Sequence, residues 1–213
     1  MKILSTNIAI PTEIEVNGKT ELTGYFKKPI DNPIYIGING VENDNVCDLV
    51  HHGGLDKACY LYGFNHYEFW KKYYPDLEWG YGMFGENITV DYLDESELRI
   101  GDVLKLGAAV VQITQPRQPC YKMGIKFNNP EMVQQFRQEQ FPGIYVRVIS
   151  EGVVNKGDVI ALQTRYASAL SVAEVFKAIY TKPIDVKVVE KIIADKHVAI
   201  RLKDYLKKKL NLI

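Results

Sequence analysis

The chain has 213 residues, enough for one full domain with an appendage or for one large domain. Its hydrophobic content of 46% suits a chain that buries a real core, and 26 Lys plus Arg against 26 Asp plus Glu remove the electrostatic case for bulk nucleic-acid binding while leaving room for a local basic pocket. No apolar run approaches the roughly 20 residues that span a bilayer, and Met1 to Ser5, followed by Asn7, Pro11, Glu13 and Glu15, lacks the apolar stretch of a signal peptide, so a cytoplasmic protein with no membrane partner is expected.

In chain order, residues 33–38 alternate apolar positions after a turn at Asp31-Asn32, and residues 58–62 form a second short strand-like run. Asn65 is placed to cap a helix that ends before Pro75, with Phe69, Trp70 and Tyr73 on one face. A turn over residues 98–102 leads into residues 103–106, and Gly107 separates these from residues 109–113, a hairpin signal. Asn129-Pro130 is an N-cap and first-position pair for a helix carrying Met132, Val133 and Phe136. Residues 144–149 and 159–163 complete the strands, joined by a turn over residues 155–158. Many short strands joined by glycine turns predict a mainly β fold, an antiparallel β-barrel or sandwich, over residues 1–165.

The pattern changes near residue 166. Ser171 and Glu174 form a capping box ahead of Val172, Val175, Phe176 and Ile179 at helical spacing. Pro183 breaks that run. Asp185 begins another with Val188, Val189, Ile192 and Ile193, and a third carries Leu202, Tyr205, Leu206 and Leu210 with lysines opposite. Residues 166–213 are therefore expected to form a small three-helix C-terminal domain that packs on itself and on the β domain, because such short helices bury little alone.

Cys47, Cys59 and Cys120 are widely spaced and form no CxxC, against a zinc knuckle or a disulfide framework. Cys47 and Cys59 lie in or beside strand-like runs and are expected to be packing residues. Cys120 ends the segment Gln115-Pro116-Arg117-Gln118-Pro119-Cys120, in which two prolines stiffen the backbone and Arg117 and Lys122 are placed to favour a thiolate. The same residues also suit a buried structural cysteine, and both readings stand at this level. In His52-Gly53-Gly54-Leu55-Asp56-Lys57-Ala58 the glycine pair permits close backbone approach to a ligand and Lys57 adds charge for a phosphate, or the segment is an ordinary polar turn. A zinc site at His51-His52 is not expected, since neighbours on a strand face opposite ways. The segment Gly82 to Asn87 alone is a loop entering a strand.

Taken in order with Thr23-Gly24-Tyr25-Phe26-Lys27-Lys28-Pro29, these segments resemble the MOSC domain family, named for the C-terminal domain of molybdenum cofactor sulfurases, and within it the stand-alone YiiM-type branch with a three-helix C-terminal domain. One departure is Asn43-Asp44, where the family usually has Gly-Asp; asparagine tolerates the left-handed conformation, so the turn is expected to survive. The resemblance implies a MOSC-type antiparallel β-barrel that binds the molybdenum cofactor (Mo-molybdopterin), with Cys120 as both metal ligand and catalytic residue, a soft donor suited to a metal already held by sulfur. It places Lys57, Arg117 and Lys122 near the pterin phosphate and His52, Gly53, Gly54 and Asn87 in the pocket lining. It implies reduction of small N-hydroxylated substrates, such as hydroxylaminopurine-type bases and amidoximes. The absence of a GxGxxG or iron–sulfur cysteine set implies a separate electron-donor reductase. A second reading, from the sulfurase relatives, is a persulfide or cofactor carrier without its own turnover. A nucleotide- or RNA-binding barrel is disfavoured by the charge balance.

Overall fold

The computed structural model describes residues 1–47 and 53–212. Thirteen strands and six α-helices follow one another as β1 (Ile3–Ala9), β2 (Thr12–Val16), β3 (Lys19–Thr23), β4 (Lys27–Ile30), β5 (Ile34–Gly37), β6 (Gly40–Val41), β7 (Cys59–Gly63), α1 (Tyr67–Tyr73), β8 (Ile88–Val90), β9 (Val103–Leu106), β10 (Ala109–Pro116), α2 (Tyr121–Lys126), α3 (Met132–Glu139), β11 (Ile144–Ser150), β12 (Gly152–Val154), β13 (Ile160–Thr164), α4 (Val172–Tyr180), α5 (Val186–Ala194) and α6 (Ile200–Lys209). The main sheet has eight strands in the order β13-β9-β10-β11-β7-β8-β1-β4.

Two expectations about this sheet need correction. It is not purely antiparallel, because β7 and β8 run parallel, with Leu61 opposite Ile88. Nor does a strand ladder close it into a barrel among the described residues: edge strand β13 meets the start of β1, the next-to-last strand, through the single bridge Lys2–Val159, flanked by Ile3 N to Asp158 O (2.9 Å) and Ile160 N to Met1 O (2.8 Å). The expected strands at residues 33–38, 58–62, 103–106, 109–113, 144–149 and 159–163 correspond to β5, β7, β9, β10, β11 and β13.

The capping box forms as expected. Ser171 Oγ accepts from Glu174 N at 3.1 Å, and Glu174 Oε2 accepts from Ser171 N at 2.7 Å. Asp185 caps α5 through Val188 N (3.1 Å). Asn65 does not cap α1, which starts after a short 3-10 turn; its amide instead pairs both ways with the backbone of Leu93. Helix α6 has no side-chain cap of its own, and Asp56 from the distant glycine-pair segment accepts from Ile200 N at 3.0 Å while pairing with Arg147 at 2.7 Å. The helical tail is thereby tied to the β region through that segment.

Two apolar clusters fill the interior. The larger is almost wholly aliphatic and runs from β5, β6 and β12 (Ile34, Ile36, Val41, Val154) through the main sheet (Leu104, Val111, Ile113, Val146) to α4–α6 (Val175, Ile179, Val189, Ile192, Leu202, Leu206). The smaller is aromatic, with Tyr60, Tyr62, Tyr67, Trp70, Phe84, Phe127, Phe136 and Phe176 at its heart. Strands β10, β11 and β7 lie side by side and run into this aromatic region, with Gln115 opposite Tyr145 and Tyr145 opposite Tyr60. The register sets Arg117, just past the end of β10, beside those two tyrosines.

Candidate active site

A cavity of about 340 Å3 opens at this end of the sheet. Among the described residues, its charged lining is Lys27, Lys57, Arg117 and Lys122 against the single carboxylate Asp44. That imbalance is a local basic pocket in a chain of zero net charge, and it favours an anionic guest.

Arg117 is buried, and its guanidinium carbon lies 5.0 Å from the Tyr25 ring centroid and 4.8 Å from that of Tyr60. One terminal nitrogen, Nη1, donates to the carbonyl of Phe84, whereas Nε has no hydrogen-bond partner. A buried guanidinium is costly to leave unsatisfied, so the spare donor marks a place for an acceptor. The Tyr25 hydroxyl is likewise buried without a partner. Burial pushes the Tyr25, Tyr60 and Tyr145 phenols up, so all three stay neutral; Tyr60 donates to the Pro142 carbonyl at 2.8 Å.

The Phe84 carbonyl is held in place by Glu86. This carboxylate is fully buried and accepts from Gly82 N (3.0 Å), Phe84 N (3.0 Å), Thr89 Oγ1 (2.8 Å) and the Tyr67 hydroxyl. Four donors on one carboxylate explain how a charge-bearing group sits inside an aromatic cluster; burial still pushes its pKa up, against those hydrogen bonds. Gly85, at φ 77°, turns the loop so tightly over Tyr25 that an added Cβ would lie 3.2 Å from that ring.

The opposite wall is organised by Asp44. Its Oδ1 accepts from Ala9 N at 2.8 Å, and its Oδ2 accepts from Asn87 Nδ2 at 2.8 Å and from Lys27 Nζ. Burial pulls the Lys27 pKa down, and Asp44 opposes this. Asn43 takes φ 62°, so the left-handed turn survives the departure from Gly-Asp. Gly24 lies against the same wall, where an added Cβ would stand 1.7 Å from the carbonyl oxygen of Asn45.

The expected site residues divide as follows. Lys57, Arg117, Lys122, Gly53 and Asn87 line the cavity. Gly54 is exposed and is not part of the lining; its φ of 104° turns the chain into the short helix bearing Lys57. His52 lies outside the described residues, as does His51. Asn87 has its amide committed to structure, accepting from Tyr60 N at 3.2 Å while bonding Asp44. Cys120 is half-buried and lines not the cavity but a neighbouring, more open groove of about 980 Å3 with Glu21, Tyr121 and Arg137, near enough to the Arg117 charge to interact with it. Cys59 is fully buried, and burial pushes its thiol up, as befits a packing residue. Cys47 is not a packing residue: it is exposed and lines the cavity, its thiol making only a 3.9 Å contact to the Asn45 carbonyl.

Lys27, Asp44 and the tyrosine pair around Arg117 were not foreseen as site residues. Lys27 and Tyr25 lie inside the Thr23–Pro29 segment, which offered a signal; Tyr60 and Tyr145 look like ordinary strand aromatics, and only the strand register discloses their place.

The MOSC domain profile matches residues 48–161, and the chain belongs to the MOSC domain family, a family associated with the molybdenum cofactor. Within it the chain is of the YiiM type: it resembles the crystal structure of YiiM from Geobacillus stearothermophilus at 28% identity and a TM-score of 0.82, covering 98% of each chain. It is 37% identical over 193 residues to the uncharacterized protein YflK of Bacillus subtilis, covering 91% of this chain and 87% of that one. It is also 30% identical over 163 residues to a protein named Reductase from Gibberella moniliformis, 75% of this chain but 29% of that larger protein. No helix among the described residues is long and apolar enough to cross a membrane.

Proposed function

We propose that the protein is a molybdenum-cofactor enzyme that reduces N-hydroxylated compounds. The observation that carries the reading is Arg117, buried between two tyrosine rings at the cavity wall with a spare donor and three residues from a half-buried thiol. The donor set fits the cofactor's chemistry: Cys120 offers a soft thiolate for the metal, and Arg117, Lys57 and Lys122 offer charge for a phosphate. The cavity volume also falls in the range of small-molecule sites, about 300–1,000 Å3. When bound, the cofactor supplies two-electron oxygen removal at molybdenum. The chain's own residues hold the anion, keep Tyr25 neutral as a donor, and shelter the pocket from bulk water.

In the proposed reaction R–NH–OH takes up two electrons and two protons, the N–O bond breaks, and R–NH2 and water leave. The name of the Gibberella relative supports a reductive reaction, and the electrons come from a separate donor. The candidate chemistry lies within residues 1–165, proposed as one unit, with residues 166–213 as the second.

The test is metal and pterin analysis of freshly purified protein, together with turnover of a hydroxylaminopurine by reduced viologen. Near-stoichiometric molybdenum with turnover is expected. A persulfide on Cys120 in metal-free, inactive protein, after growth with ample molybdate, would assign the chain to sulfur carriage instead.

A further inference from the structure

The charge of this chain is neutral in sum but not in place. Residues 166–213 carry ten Lys and Arg against five Asp and Glu, whereas residues 1–165 carry sixteen against twenty-one. Part of the excess faces a groove of about 590 Å3 between α3 and the tail helices, lined by Arg137, Lys177, Lys182 and Lys209 together with Tyr180 and glutamines; no carboxylate lines it among the described residues. Arg137, Lys177 and Lys182 are exposed. Lys209 is held in place by donating to the Ile179 carbonyl, and the nearby charge of Lys182 adds to burial in pulling its pKa down, a sign of how closely the cations crowd.

The groove is joined to the thiol loop by two contacts. The Tyr180 hydroxyl lies close to the side chains of Gln118, two residues before Cys120, and of Arg137. Arg137, whose guanidinium lies 5.1 Å from the Tyr180 ring centroid, lines both this groove and the one that holds Cys120. An anionic surface seated here would rest near the loop that carries Cys120.

We propose that this basic groove is the docking face for an acidic electron-carrier protein of the flavodoxin class, which hands over the two electrons of the reduction one at a time. The proposal rests on the reductase reading for its purpose and on charge complementarity for its place. Opposite charges spread over two faces chiefly raise the association rate and make it salt-dependent.

The experiment uses the full chain and reduced flavodoxin as the probe. Cofactor-loaded wild type and the double variant Lys177→Glu/Lys182→Glu are driven by flavodoxin or by reduced viologen. Binding of oxidised flavodoxin to the cofactor-free chain is measured separately by calorimetry. The double variant should lose about tenfold or more in flavodoxin-driven rate and in binding, keep its viologen-driven rate, and fold as wild type by circular dichroism. Rising salt should weaken the wild-type complex, and Lys177→Arg/Lys182→Arg should retain it. Equal flavodoxin rates and affinities in wild type and the charge-reversed variant would overturn the proposal, as would binding of a short RNA at this groove with none of flavodoxin. Failure of viologen turnover would instead strike the reductase reading, while the binding measurement still decides the docking face.

Discussion

The two buried clusters differ in kind. Between the sheet and the tail helices the interior is aliphatic, made of Val, Ile and Leu whose polar atoms are all backbone atoms. Under the cavity it is aromatic and threaded with polar groups, among them Glu86, Arg117, Tyr67 and Tyr62. Aliphatic packing depends on volume and tolerates rearrangement, whereas a buried carboxylate with four donors fixes one geometry. The first region holds the molecule together; the second sets the position of Arg117. Phe176 belongs to the aromatic cluster although it projects from tail helix α4, so the two meet there.

The largest effect is expected from deleting residues 166–213, which strips the cover from the aliphatic face of β9–β11 and removes the Ile200 N–H that Asp56 caps. Such a fragment should be insoluble or aggregate on size exclusion; a soluble, monomeric fragment with native circular dichroism would mean the sheet's aliphatic face needs no cover. Phe84→Ala should cost about 3–5 kcal/mol in denaturant unfolding and weaken pterin retention with it. By contrast Ile192→Ala, at similar burial in the aliphatic cluster, should cost about 2–5 kcal/mol and leave cofactor content per folded molecule unchanged. Equal loss of cofactor in both would erase the distinction between the clusters.

Glu86→Gln should cost about 1–3 kcal/mol, because the new amide NH2 meets donors where the carboxylate met them as an acceptor. The sign of its pH dependence follows from the raised carboxyl of the folded state: relative to the unfolded chain, Glu86 favours folding most at pH below the ordinary carboxylate range, and that advantage is lost as pH rises through its folded pKa. Stability of wild type and Glu86→Gln should therefore diverge least at high pH, which parallel denaturation series would reveal. Cys120→Ser should change stability least, by roughly 0.5 kcal/mol or less, yet abolish molybdenum ligation; normal metal content and turnover in that variant would remove the thiolate from the mechanism.

Elements with their own local signals were legible in the sequence. Ser171 and Glu174 announce α4 because the capping box is a contact within four residues, and the β9–β10 hairpin declares itself through Gly107. Asn17-Gly18 marks the β2–β3 hairpin equally well, with both residues at positive φ, although the exposed, charged strands beside it hide the signal. Long-range partnerships were not legible. Nothing near Asp56 says that it caps a helix beginning at residue 200, and nothing near Asn65 says that its amide is taken by Leu93. The site followed the same rule: Arg117 and Lys122 were visible beside Cys120, while of the tyrosines that clasp Arg117 one, Tyr25, sits in the distant β3–β4 loop and the other, Tyr60, on β7, where strand register alone discloses its place.

Both tryptophans, Trp70 and Trp79, lie in or against the aromatic cluster, and Trp70 stacks on Phe136 at 6.0 Å. Indole emission therefore watches the site half of the molecule alone, while ellipticity is dominated by the sheet and the tail helices. The protein carries its own optical label for the region that matters to ligand capture. An emission change on adding phosphate or a pterin, with no change in ellipticity, would time the filling of the cavity without any engineered dye.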